Sequence, residues 1–443
     1  MTGSFSKILF KIRASFWFIP SFYGVLAFVL AVVCFLIDVS VPSMGHAQWM
    51  RDWLLTDIAL AQTLLGAISA SLLTMTTITF SSIMVVLTTY LSQFSPRTLQ
   101  DFMMDHSTQR VLGVFIGGFI YSTLLLLLLR ERYDDDALFI SPALAVVVAF
   151  ICVGFFVFFI HHVGNWIQVS NLIHHICADT IKSIDKNFNE ETHNHKDAPW
   201  EDWESEEITQ MEPKEIQSIV SGYLQLIDIE DLVEKAKADN CIIKLEKRLG
   251  DYVDKGSTLL LLYNLEGNKI ETDYLTFFSF GSERATIQDV EFGITKIVEI
   301  GLRALSPGIN DPNTAISCIR QLGKILARLG NKNLHRSFFN DDKRSLRLII
   351  EQPSFSDYLY KSFYQIRQYS SEDISVLAAI IEALQVIAEQ NNGEIKKEIW
   401  DFSRYILEAL DHQLLLELDR NYMNRKLERL AQRTGFQKDF IPI

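Results

Sequence analysis

Between Asp57 and Leu91 the chain contains no Lys, Arg, Glu or His. A helix of about thirty-five residues without those charges suits a membrane. A basic stripe is also missing. The net charge is -13, and nothing neutralises phosphates, which argues against a nucleic-acid partner. The five cysteines (Cys34, Cys152, Cys177, Cys241 and Cys318) are scattered, so neither a disulfide framework nor a zinc pattern follows. There is no nucleophile elbow, phosphate loop, HExxH or paired-Cys motif. No carrier of enzymatic chemistry is therefore visible, and no cofactor or metal is expected. Ionisable groups are nearly absent from the interiors of the apolar runs, which argues against coupled transport.

The first 165 residues are dominated by those apolar runs and are expected to form a transmembrane domain. Four spans are predicted, at about Phe16–Ile37, Ile58–Leu91, Val111–Leu129 and Pro142–His161. The basic leader, with Lys7, Lys11 and Arg13, precedes a run too long for a signal peptide. The Lys/Arg bias of the flanks places the N-terminus inside, and four spans return the chain to the same side. Both termini are thus expected in the cytoplasm.

Residues 166–215 read as a juxtamembrane helix followed by an acidic linker. From 216 to 282 short β runs appear, including Tyr223–Ile227, Ile242–Leu245 and Leu259–Tyr263, punctuated by turns at Gly250-Asp251 and Lys255-Gly256. The stretch from Leu249 to Leu259 is similar to the half-barrel repeat of biotinyl/lipoyl-like domains. Lys255 lies inside the turn pattern rather than in an exposed hairpin, so no covalent cofactor is carried over. Residues 283–443 are expected to be mainly helical, with a short strand at Leu346–Ile350. The fold class is thus a four-span α-helical membrane domain with a cytoplasmic α+β region, comprising a small barrel-sandwich-like β domain and a C-terminal helical domain.

Eleven hydroxyl residues fall in the second span. At 100° per residue, Thr74, Thr77, Ser81, Thr88 and Ser92 lie within roughly 60° of one another. Two readings stay open. The stripe can line a polar path, with hydroxyls as neutral ligands. It can equally serve tight helix packing, with hydroxyls bonding back to their own helix. The outer flanks are acidic (Asp38, Asp57, Asp134, Asp135 and Asp136). They form either a cation-concentrating rim or an ordinary solvated one. At the inner end, Ser95, Pro96 and Arg97 suit a capped short helix that couples the spans or merely connects them. Gly113 and Gly117 form a GxxxG pair suited to close helix contact. His161, His162, His174 and His175 flank the inner membrane edge, with no neighbouring ligands to complete a metal site. In the soluble part, Arg303 to Asp311 forms the densest turn: Pro307-Gly308 turns the chain, Asp311 caps and Pro312 opens the next helix. Arg303, Asn310 and Asp311 are either a ligand- or subunit-binding loop or a capped corner.

Two stretches are distinctive as motifs. One runs from Ser92-Gln93-Phe94-Ser95-Pro96-Arg97 to Leu112-Gly113-Val114-Phe115. The other runs from Phe292-Gly293-Ile294 through Arg303-Ala304-Leu305-Ser306-Pro307-Gly308-Ile309-Asn310-Asp311-Pro312. Together they resemble the bacterial family of predicted membrane proteins known as domain of unknown function 2254, over nearly the whole chain. The resemblance implies four spans in the bacterial inner membrane and a cytoplasmic C-terminal domain; it supplies no activity and no site residues. The expected partners are the lipid bilayer and further copies of the chain, with a cytoplasmic protein or small ligand left open. Two functions compete: a homo-oligomeric cation-permeable channel or passive conduit with a cytoplasmic gating or assembly domain, and a membrane-anchored interaction or ligand-sensing scaffold without permeation.

Overall fold

Long apolar runs without internal charge give helices of membrane length. The computed structural model describes residues 17–40, 56–93, 96–98, 105–129, 140–188, 211–264, 273–284, 289–334, 338–343, 345–370, 373–408 and 415–443. Four helices there are long and apolar enough to cross a membrane: α1 (Phe18–Ser40), α2 (Ile58–Gln93), α3 (His106–Leu128) and α4 (Ser141–Trp166). The chain divides into two compact units, residues 1–169 and 170–443.

In the first unit α3 is the central helix. Half of its apolar window is buried, against 22%, 22% and 17% for α1, α2 and α4. Close approach of α1 depends on the Gly113/Gly117 pair. A Cβ on Gly113 would meet the Tyr23 ring at 3.0 Å and Pro20 Cα at 3.3 Å, and one on Gly117 would meet Tyr23 O at 3.3 Å. The GxxxG pair therefore serves contact within one subunit. Ala31, Leu65, Tyr121, Leu125 and Ala145 bring all four helices into one buried cluster. The third helix starts five residues earlier than predicted. Asp105 caps it, accepting from Thr108 N at 2.8 Å, and Arg110 lies within its first turns.

Helix α5 (Val169–Asn187) follows α4 after a break at Ile167–Gln168 and leads into the second unit. Its buried face, Leu172, Ile173, Ile176, Thr180 and Ile184, follows a helical repeat. The strands are β1 (Lys214–Gln217), β2 (Gly222–Ile227), β3 (Cys241–Leu245), β4 (Tyr252–Val253), β5 (Thr258–Asn264), β6 (Phe278–Gly281), β7 (Phe338–Asn340) and β8 (Leu346–Ile349). They form a five-stranded sheet in the order β1-β5-β3-β8-β7 and a three-stranded sheet in the order β4-β2-β6. Among the described residues only β3–β8 is parallel, with Ile243 opposite Leu348. The larger sheet thus recruits residues well beyond 282. A helix, α6 (Ile229–Ala238), sits between β2 and β3, where only strands were expected. Asp228 caps it, and it buries Leu232 and Ala236 against the core of the sheets. Gly250 occupies the left-handed region (φ +84°), and a Cβ there would strike the Asp289 carboxylate at 2.3 Å.

The remaining helices are α7 (Val290–Ala304), α8 (Pro312–Leu329), α9 (Phe355–Tyr369), α10 (Ile374–Gln390), α11 (Gly393–Leu407) and α12 (Glu417–Thr434). In α10 the apolar run from Val376 to Ala388 is buried between α8 and α12. Asp289, Asp311, Ser354, Asp373 and Asn392 all supply side-chain N-caps, which fixes where each helix begins.

Candidate functional sites

The uncharged second span folds as one helix, α2, of 36 residues. At 1.5 Å per residue it is about 54 Å long, against a hydrocarbon core of roughly 30 Å. Asp57 precedes it, and Asp57 Oδ1 accepts from Leu60 N at 2.8 Å. One face (Ala61, Leu65, Leu72, Thr79, Ile83 and Val86) is buried. The opposite face carries Thr63, Ala67, Ala70, Thr74, Thr77, Ser81 and Thr88, all exposed. The other outward faces differ in kind: α1 exposes Phe22, Val25, Leu26 and Val29, and α4 exposes Phe150, Ile151, Val157 and Ile160.

The stripe hydroxyls are largely satisfied by their own helix. Thr74 donates to Ala70 O (3.0 Å), Thr77 to Leu73 O (2.9 Å) and Thr88 to Val85 O (2.8 Å). A hydroxyl bonded this way loses the cost of an unmet donor in apolar surroundings and keeps lone pairs to accept. Off the stripe, Ser69 bonds Thr123 across to α3 at 2.9 Å, and Thr79 Oγ1 is buried with no hydrogen-bond partner. Ser92 lies on α2, with its side chain outside the described residues.

The acidic flank is not one surface. Asp38 is 3% exposed; its carboxylate accepts from Ile140 N at 2.8 Å and from Ser141 N at 3.3 Å, at the start of α4. It is an internal cap rather than part of a rim. Asp57 is exposed. Asp134, Asp135 and Asp136 lie outside the described residues, as does Ser95. Pro96 and Arg97 are exposed in a single 3-10 turn, Pro96–Thr98.

One pair in this unit escaped the sequence reading. His162 Nε2 on α4 lies 2.8 Å from Asp105 Oδ2, and the His162 ring stacks on Phe158 at 5.6 Å. Asp105 is 57 residues upstream, so no local spacing signals the pair. No group of three His, Cys, Asp or Glu able to hold a metal occurs among the described residues.

In the second unit the Arg303–Asp311 stretch is a hydrogen-bonded corner. Ile309 and Asn310 donate to Ser306 O at 3.0 and 2.9 Å, and Asp311 N donates to Ala304 O at 2.8 Å. Asn310 takes φ +50°. Asp311 caps α8 through Thr314 N at 3.1 Å, and Pro312 opens the helix. The corner is also one wall of a cavity of about 940 Å³. Asn310 borders it, Arg320 on α8 and Asp419 and Tyr422 on α12 flank it, and Ala378 and Ala379 on α10 floor it. Of the three loop residues singled out in the sequence, only Asn310 reaches this space. Arg303 is exposed elsewhere on the corner, and Asp311 is taken up by capping.

Residues 13–386 match the family of predicted membrane proteins DUF2254. An uncharacterized protein of Mycobacterium tuberculosis strain H37Rv and one of Mycobacterium bovis are each 30% identical to this chain over 337 residues. The aligned region covers 74% of this chain and 64% of each relative, so the chain spans less than two thirds of their length. No solved structure matches the chain.

Proposed function

The chain belongs to the DUF2254 family of predicted membrane proteins, and from that premise we propose that copies of it associate in the bacterial inner membrane through the small-and-hydroxyl face of α2. That face borders a passive polar path, both ends of the chain lie in the cytoplasm, and the second unit assembles or gates the path. One observation carries the reading: Thr74, Thr77, Ser81 and Thr88 are exposed rather than packed against the subunit's own spans. Small and hydroxyl residues favour close helix approach in lipid, and back-bonded hydroxyls still present acceptors to a passing solute. The scarcity of ionisable groups in the spans favours passive movement over coupled transport. A preference for cations is not part of the proposal, because Asp38 is occupied as a cap. We also read the two sheets as a barrel-sandwich-like module: they share one core, and Gly250 and Gly256 both turn with positive φ.

Thr77→Cys tests the association. Oxidant is expected to cross-link the variant into dimers in membranes, while the wild type, whose five cysteines are all buried, does not cross-link. In proteoliposomes, Thr77→Trp is expected to abolish any solute flux shown by the wild type. Absence of both cross-link and flux overturns the proposal. A cross-link without flux selects the second reading, a membrane-anchored ligand sensor, which the cavity beside Asn310 favours.

A further inference from the structure

The cavity beside Asn310 plays no part in permeation. Its volume, about 940 Å³, falls within the range of small-molecule sites, roughly 300–1,000 Å³. The charged groups around it divide into those already engaged and those left over. Asp373 caps α10, accepting from Ser375 N at 2.9 Å and Val376 N at 3.2 Å. Glu382 is bound by Lys426. Arg320 and Asp419 have no ion-pair or hydrogen-bond partner among the described residues, and they stand on two different walls. Tyr369, 65% exposed, adds an open aromatic face, whereas the Tyr422 ring already carries the Lys426 ammonium at 5.1 Å.

We propose that this cavity binds a small zwitterion carrying both a carboxylate and an ammonium group, an amino acid or short peptide. The Arg320 guanidinium offers a planar fork matched to a carboxylate. The Asp419 carboxylate and the Tyr369 face receive the ammonium. An anion alone would bring its charge against the unpaired Asp419 carboxylate. A cation alone would leave the guanidinium facing it. The small floor of Ala378 and Ala379 leaves space for a side chain or second residue. Asn310 at the wall places the ligand against the α7–α8 corner.

This inference rests on the ligand-sensing reading and is independent of permeation, since the assay reads binding alone. The full-length chain in detergent is titrated calorimetrically with the twenty free amino acids and their glycyl dipeptides. The best ligand is then compared with its N-acetylated and C-amidated forms. Each blocked form is expected to bind at least tenfold more weakly. Arg320→Gln is expected to weaken the parent ligand about tenfold and remove the penalty for amidation. Asp419→Asn is expected to do the same for acetylation. Unliganded melting temperatures equal to wild type establish that both variants fold. If no member of the panel binds, or blocked and free forms bind alike, or both variants bind as wild type does, the inference is overturned.

Discussion

Asp38, in the last turn of α1, accepts a 2.8 Å hydrogen bond from the backbone amide of Ile140, at the threshold of α4. The first amides of a helix have no partner of their own, and a carboxylate there also meets the positive end of the helix dipole. The contact joins two spans 102 residues apart in sequence. Asp38→Ala is expected to destabilise the membrane unit by about 1–2 kcal/mol, the upper part of the N-cap range. Asp38→Asn keeps an acceptor and loses less. Thermal unfolding in detergent measures both, and a melting temperature unchanged in Asp38→Ala would dismiss the cap.

The α1–α3 seam has no room at Gly113. Gly113→Leu must displace Tyr23 or the backbone at Pro20. Overpacking of this kind costs about 1–3 kcal/mol. Gly154→Leu is the control, since nothing lies within 4 Å of a Cβ there. The Gly113 variant is expected to melt lower while the Gly154 variant matches wild type.

Acid sensitivity is expected in the second unit through Asp341. Burial pushes its carboxyl up, but the amides of Ser345 and Lys343 and the Arg347 guanidinium at 2.9 Å outweigh that and hold it below the usual carboxylate range. A depressed carboxyl contributes stability that is present above its unfolded pKa, about 3.9, and is lost as pH falls through the folded value. Denaturant midpoints are therefore expected to hold through neutral pH and drop in acid. Asp341→Asn should lower stability at pH 7 by about 3–5 kcal/mol, as for breaking a buried pair, and flatten the acid limb. An acid limb identical in the variant would assign the effect to other carboxylates.

The corner before α8 makes two opposite demands. Asp311→Ala removes the contacts to Thr314 N and Oγ1 and should cost about 0.5–2 kcal/mol. Asn310→Gly should be tolerated at φ +50°, whereas a β-branched Asn310→Val should not. Melting temperatures in the order Gly above Val test the backbone argument directly.

What could be read in the sequence was what is local. The four apolar runs announce helices of membrane length, and Asp311-Pro312 announces the start of α8, because a capping carboxylate and a proline at the first helical position act within a few residues. Gly250 and Gly256 were legible as turns for the same reason. The Asp38–Ile140 and Asp105–His162 contacts were not, since each joins residues on different helices that only packing brings together. Helix α6 interrupts a run of strands and was missed there, although Ile229, Leu232, Val233 and Ala236 fall at helical spacing. The hydroxyl stripe was visible as a pattern, but its exposure was not: periodicity groups residues on a face without saying what that face meets. The cavity beside Asn310 needed residues of four helices and the connecting corner to come together, and only Asn310 had stood out beforehand.

The parallel pairing of β3 with β8 sets an order of events during synthesis. Ile243 meets Leu348 across more than a hundred residues of chain. At about 5–20 residues per second, β3 waits roughly 5–20 s after leaving the ribosome before its neighbour exists. Throughout that interval the edge bearing Ile242 and Ile243 is unpaired, a template for strands of other nascent chains. Meanwhile the hydrophobic spans have already emerged and are committed to the bilayer. The vulnerable moment in the life of this molecule is therefore late, and a truncation that stops short of Leu346 leaves an open sheet edge.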